Sequence, residues 1–427
     1  MIKTKLGELL DLKRGMSLSG DYYATEGDYI RLTLGNFDYP GGGFKENTAK
    51  ADIFFTGAVR DEYILDEGDV ITPLTEQVAG LLGETATIPV GDTYIQSGDI
   101  GKLEPIEGKL DKRFAAYLVS SPIVKKQLAA ASQQTKIRHT SPAAIKDCDV
   151  WVPEKVEDQA AIASLMDAIN DKIALNKRLC AELEETAQLV YDYWFTQFDF
   201  PDENGNPYRS SGGKMTYDST LKREIPAGWG VGRIGDMGTI VSGATPDTED
   251  EENYGGDIVW ITPNDLSKTV GGTFVNWGSR NITPKGLASC SATMMPRGSV
   301  MMSSRAPIGY LAIASNELCT NQGCKSIVPD DKFGTWYTYL TLKRLMPLIE
   351  SQGCGTTFKE VSKDALAGVD IALPPDDLIA SFNLSVEQLM LGCEQGQNET
   401  TSLVELRDWL LPMLMNGQVK VSTEVTA

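Results

Sequence analysis

Two sets of side chains in this chain combine hydroxyl, amide and cationic groups in short loop runs. That chemistry suits hydrogen bonding to base edges and phosphates better than bond breaking. The first set is Lys13, Arg14, Ser17, Arg31, Thr33, Asn36, Gln77, Gln133, Gln134, Lys136, Arg138 and His139. The second is Ser242, Thr245, Asn264, Lys268, Ser304, Arg305, Asn321, Gln322, Lys325, Thr356, Thr357 and Lys359. Arg and Lys match the O6 and N7 acceptors of guanine, Asn and Gln pair bidentately with adenine, and Ser or Thr reach phosphate or either base. Turns also favour Ser, Thr and Asn for backbone reasons, so any one of these residues has a purely structural explanation too.

Catalytic patterns are sparse by comparison. His139 is the single histidine, so a Ser-His-Asp triad would have to run through the loop KIRHTS, where a solvent or phosphate contact suits it better. Gly323-Cys324-Lys325-Ser326 lacks the upstream glycine of a phosphate-binding loop. Pro374-Pro375-Asp376 lacks the Asn and the aromatic of an amino-methyltransferase N-P-P-[FY] motif, and Asp250, Glu251 and Glu252 read as a solvated turn. No spacing selects convergent acids for a carboxylate hydrolase.

The two sets sit on a duplicated frame. SPAAIKDCDVWVP (Ser141 to Pro153) aligns with SKDALAGVDIALP (Ser362 to Pro374), so that Ser141/Ser362, Ala144/Ala365, Ile145/Leu366, Asp149/Asp370 and Pro153/Pro374 coincide at one constant offset. GDVITPLTEQVAGLLG (Gly68 to Gly83) answers GSVMMSSRAPIGYLA (Gly298 to Ala312), and the run at Gln133 to Lys136 answers the run at Gly355 to Lys359. Each half alternates short apolar runs with turn clusters, which predicts a mostly β domain. Each also has one internal helix, near Leu110 to Leu128 and near Phe333 to Ser351.

Each block is followed by a long apolar-periodic segment. Ile162, Met166, Ile169, Ile173, Asn176, Cys180, Leu183, Ala187, Val190 and Trp194 step by 4 and 3 in a heptad seam with one polar layer at Asn176. About 40 residues of helix would extend on the order of 60 Å, more than a globular domain requires. The second segment offers Phe382, Val386, Leu389, Cys393, Leu403, Leu410 and Leu414, interrupted at Gly396, Thr400 and Arg407. Gly392 and Gly396 each cost about 1 kcal/mol in a helix interior, which predicts a kink or loose turn there. The expected fold is α+β: two pseudo-twofold-related, mostly-β domains separated by an antiparallel pair of long helices. The expected boundaries are 1–153, 154–200 for the first long helix, 201–228 for a Gly-rich connector, 229–374, 375–418 for the second long helix, and a tail at 419–427.

Composition bounds the rest. The 427 residues, 41% hydrophobic and 23% charged, suit a soluble protein of two or three domains. No apolar run reaches the length of a membrane span and the first residues lack the centre of a signal peptide, which predicts a cytoplasmic protein. The 7 cysteines contain no C-x-x-C pair, so a disulfide framework or zinc site is not expected. The formal charge of -20 argues against indiscriminate nucleic-acid binding; what matters for a reader is a local basic stripe.

The order SGATP, WITPNDL, RGSVMMSSRAPIG, NQGCKSIVP and GTTFKEVSKDALAGVDIALPP, followed by a long helix, resembles a target-recognition domain of a type I restriction-modification specificity subunit. The first half is similar to it through GMSLSG, YIRLTLGNFD, EGDVITP, QSGDIGKL and KIRHTSPAAIKDCDVWVP. The resemblance covers nearly the whole chain. It implies a non-catalytic, sequence-specific subunit in which each domain reads one half of a split DNA target and the helices set the unread spacer. It also implies two docked methylation subunits that carry S-adenosylmethionine, with nuclease and translocase subunits able to join. The acid excess implies that those methylation subunits supply much of the phosphate contact. The alternative is an acidic protein-interaction scaffold or DNA mimic, which would lack a basic cleft.

Overall fold

The computed structural model describes residues 1–39, 42–76, 80–131, 138–268, 272–355 and 359–421. Gln77, Gln133, Gln134, Lys136, Thr356 and Thr357 lie outside the described residues, and for Arg138 only the backbone is described. The chain divides into two compact units: Met1–Lys172 together with Leu403–Ala427, and Ile173–Ser402.

In the first unit the strand Leu10–Arg14 turns Leu10 and Leu12 inward and leaves Asp11, Lys13 and Arg14 exposed, the period-2 pattern of a half-buried strand. It pairs antiparallel with Ile100–Pro105, which pairs in turn with Val70–Pro73; Ala86–Thr87 completes the sheet. Ile2–Lys5 pairs with Asp149–Val152. The expected single helix is two, Lys112–Val119 and Pro122–Ala131. Pro122 has no amide hydrogen to continue the first helix, and its ring disfavours a helical conformation at Ser121.

The second unit repeats this frame. Gly238–Ser242, Cys324–Pro329 and Val300–Ser304 are neighbours in the same order, extended by Ile308–Ala314 and Phe274–Val275, and Gly230–Arg233 pairs with Asp370–Leu373. The helix Gly334–Ser351 stands where the sequence places it. The matched run after Ser141 and Ser362 has a local cause. Each serine hydroxyl caps a short helix, accepting from the amide of Ala144 or Ala365 at 3.1 Å, and Ile145 and Leu366 are both fully buried one residue further on. Gly7 and Gly235 each face that helix so closely that a Cβ would crowd Lys146 or Ala367.

The first long helix is Val156–Tyr191, ending in a π-helical turn at Asp192–Thr196, and the second is Asp376–Met415. Within the second unit they run antiparallel. Asn176 Nδ2 donates to Glu399 Oε2 at 2.8 Å, the Cys180 thiol donates to Cys393 O at 3.2 Å, and Tyr191, Trp194 and Phe195 pack their rings on Phe382. Ile173, Asn176, Cys180, Ala187, Trp194, Phe382, Val386 and Cys393 are buried; Leu183, Val190 and Leu389 are half-buried, and Met390 occupies the buried position beside Leu389. In the first unit Ile162, Met166, Ile169 and Leu414 are buried and Leu403 and Leu410 half-buried, with Asn170 joining Tyr117 and Arg407.

No loose turn interrupts the glycines: Asp376–Met415 is one continuous helix. A Cβ at Gly396 would lie 3.0 Å from Cys180 Sγ and one at Gly392 3.3 Å from Leu183 Cδ1, so the missing side chains let the helices approach. Close packing offsets the intrinsic helical penalty of glycine. Among the described residues no helix is long and apolar enough to cross a membrane.

Candidate nucleic-acid interface

In both units the candidate residues gather where the central sheet ends, at an edge built by the same backbone bonds. Met16 N donates to Gln96 O at 3.2 Å, and Ala244 N to Thr320 O at 3.0 Å. Leu74 N donates to Asp99 O, and Ser304 N to Gly323 O, both at 2.8 Å. Thr140 N donates to Leu74 O at 2.9 Å and Val361 N to Ser304 O at 3.0 Å. Gly15 and Gly243 pass so close to the opposing carbonyls of Ser97 and Asn321 that neither position has room for a Cβ.

On this shared frame the first unit displays Lys13, Arg14 and Ser17 as exposed residues. Arg14 Nε donates to Gly98 O at 2.6 Å, which aims the guanidinium, and Lys13 pairs with Glu104 at 2.8 Å. The Glu104 carboxylate holds the Lys13 ammonium above its ordinary pKa. Arg14, Ser17, Tyr23, Ser97 and Asp99 line an open depression of about 340 Å³. His139 is exposed, and its Nδ1 lies 3.3 Å from Thr75 Oγ1, which donates to Asp99 Oδ1 at 2.9 Å.

Three residues of the first set are engaged in holding the unit together. Arg31 is 6% exposed; its guanidinium donates to Asp52 O at 2.9 and 3.2 Å and lies 3.8 Å from the centre of the Tyr23 ring. Asn36 is buried, its carbonyl accepting from Thr33 N at 2.9 Å and its amide donating to Lys45 O at 3.3 Å. Thr33 caps the same short turn.

In the second unit Ser242, Asn264, Lys268, Gln322 and Lys359 are exposed, and Thr245 and Gln322 hydrogen-bond to each other. Asn321 Oδ1 accepts from Gly323 N at 2.9 Å, shaping the turn that carries Gln322. Ser304 is buried and its hydroxyl donates to Gly323 O at 3.1 Å. Arg305 and Lys325 converge on one carboxylate: Glu360 lies 3.8 Å from Arg305 Nη1 and 3.4 Å from Lys325 Nζ. Lys325 is only 8% exposed, so its cation depends on this neighbour.

Sequence reasoning overlooked Thr75, Asp99 and Glu360. The solvated-turn reading of Asp250, Glu251 and Glu252 does not reach Asp99 or Glu360, whereas the match of LTEQ to SRAP places Thr75 opposite Arg305. Among the described residues no cluster of His, Cys, Asp and Glu could hold a metal, and the seven cysteines are free thiols. Burial pushes the Cys324 thiol up to about 12, which keeps it unreactive beside Lys325.

Two units with one backbone frame, each presenting amides, hydroxyls and cations at its edge, define a duplicated polar-recognition protein. The model of the type I restriction modification DNA specificity domain matches residues 2–185 and 226–382, more than half of the chain, and the chain belongs to that family. It is a sequence-specific DNA-recognition subunit and not itself an enzyme. The specificity subunit of type I restriction enzyme MjaIX of Methanocaldococcus jannaschii is 40% identical over 44% of this chain and 45% of that one. The specificity subunit of type I restriction enzyme HindI of Haemophilus influenzae is 24% identical over 77% of this chain and 82% of that one. The crystal structure of the type I restriction-modification S subunit from M. genitalium has the same fold at a TM-score of 0.57 and 15% identity, covering 97% and 96% of the two chains.

Proposed function

We propose that each unit reads one half of a bipartite DNA target and that the paired long helices set the unread spacer and dock two methylation subunits. The observation that carries this is the repetition of the edge: identical backbone bonds at Met16/Ala244, Leu74/Ser304 and Thr140/Val361, with different side chains projecting from them. A frame held by backbone bonds can change its side chains without refolding, which is what two independent readers of different sequences need. The methylation subunits carry S-adenosylmethionine and transfer methyl to adenine, and nuclease and translocase subunits join the same assembly in the cytoplasm. DNA contact falls to the exposed members of the two sets, above all Arg14, Ser17 and His139 in the first unit and Ser242, Gln322 and Lys359 in the second, with the half-buried Arg305 beside them.

The deciding experiment co-expresses the chain with its methylation subunit and maps adenine methylation genome-wide, then repeats the map after replacing residues 1–153 with the same block of a relative. One split motif is expected, and the replacement alters only one half of it. Alteration of both halves, or no motif at all, overturns the proposal.

A further inference from the structure

Resting on the reading of the first unit as a base reader, we propose that His139 is a specificity-determining residue. Its Nε2 accepts a hydrogen bond from the exocyclic amino group of one base in the major groove, adenine N6 or cytosine N4. The assignment follows from where the protons must go. The Asp99 carboxylate has only lone pairs to offer, and Thr75 Oγ1 lies 2.9 Å from its Oδ1, so the single hydroxyl proton of Thr75 points there. The Thr75 oxygen is then an acceptor toward His139 Nδ1 at 3.3 Å, which makes Nδ1 the protonated nitrogen of the ring. In the neutral imidazole the remaining nitrogen, Nε2, carries a bare lone pair.

A bare acceptor at the edge discriminates in a defined direction. In the major groove adenine and cytosine present amino donors, whereas thymine O4 and guanine O6 and N7 are acceptors that would face the lone pair unfavourably. Asp99 acts through Thr75, and Glu76 on the adjoining strand turns a carboxylate oxygen to the amides of Gly80 and Leu82 at 3.1 and 3.0 Å. Arg138 precedes His139 in the strand Arg138–His139.

The second unit supports the assignment by contrast. Its isolated bridge between Arg305 and Glu360 stands where the first unit pairs Thr75 with His139, so this site on the frame carries a polar pair in both units. In the first unit the pair joins a hydroxyl to an imidazole; in the second it joins a guanidinium to a carboxylate. Thr75 and Asp99 are therefore positioning residues.

The test uses the full chain assembled with its methylation subunit on a library with both half-sites randomised, at pH 8. Wild type at pH 8 is expected to restrict one position of the first half to adenine or to cytosine by about 10-fold or more, and which of the two appears identifies the amino group. His139→Leu removes the restriction there while the second half keeps its sequence. Thr75→Val, which frees the tautomer, relaxes the same position several-fold. A first half unchanged base for base in His139→Leu, or a position restricted to guanine or thymine at pH 8, overturns the proposal. Absence of any split motif in wild type would instead reject the underlying two-reader reading. Should His139→Leu lose both halves through misfolding, Thr75→Val decides, and an unrelaxed motif in that variant counts against the proposal.

Discussion

At the candidate edge the two units share their backbone and exchange their charges. Where the first sheet pairs Arg14 with Gly101 across strands, the second pairs Ser242 with Lys325, so the cation has moved to the other strand of the same ladder. The first edge places its carboxylate at Asp99, behind a threonine; the second places Glu360 between two cations. The lesson is that folding and recognition are separable here. Carbonyls, amides and two glycines without room for a side chain fix the edge, and the projecting groups vary over it.

The strongest attack on this comparison is on the glycines. Gly15→Val and Gly243→Val should each cost about 3 kcal/mol, since both force a backbone that contacts the opposing strand to move. Urea unfolding measures the loss, and each change should abolish its own half of the recognised sequence. Tolerance of one and not the other would show that the two frames are not equivalent.

Electrostatics give the next effect. Glu360→Gln releases Arg305 and Lys325 and should raise affinity for non-specific DNA roughly 3- to 10-fold at low salt, with a salt slope steeper by about one. Thr75→Val at the matching site changes no charge and should leave that slope unaltered. Binding titrations across a salt series read both.

Acid should weaken both units by the same device. Burial alone pushes the Asp69 carboxyl up, but the ammonium groups of Lys102 and Lys112 and the Asp66 amide bring it net below its ordinary value. In the second unit burial opposes and the Lys343 ammonium and Tyr339 hydroxyl prevail at Glu184, also net lowered. A carboxyl lowered in the folded state contributes stability that is present above its unfolded value, about 4, and lost as pH falls through the folded value. Melting temperatures from pH 7 to 2.5 should therefore fall below about pH 4, and Asp69→Asn and Glu184→Gln should each flatten the fall. The smallest effect lies in the helix pair. Gly392→Ala should stabilise by about 0.5 kcal/mol, because the Leu183 side chain can yield, while Gly396→Ala against Cys180 should be close to neutral.

The duplication and both long helices were legible because they rest on local patterns: capping serines at 141 and 362 and an apolar 4-3 spacing. The uninterrupted helix through Gly392 and Gly396 was not, since intrinsic propensity counts the missing side chains as a loss and only the partner helix shows what they permit. Exposed candidates such as Arg14 and Gln322 were legible by residue type. Arg31 and Asn36 look identical to them in sequence, yet Asp52 and Lys45, remote along the chain, occupy their polar groups. Asp99, Thr75 and Glu360 were missed because their meaning depends on partners brought together only by the sheet.

The division of the chain has a consequence for its synthesis. The first unit needs Leu403–Ala427, whereas the second is the single uninterrupted stretch Ile173–Ser402. On the ribosome the second unit is complete while the first still lacks its closing helical segment. The part made first is therefore finished last, and until then the first unit lacks the helical segment that ends at Met415.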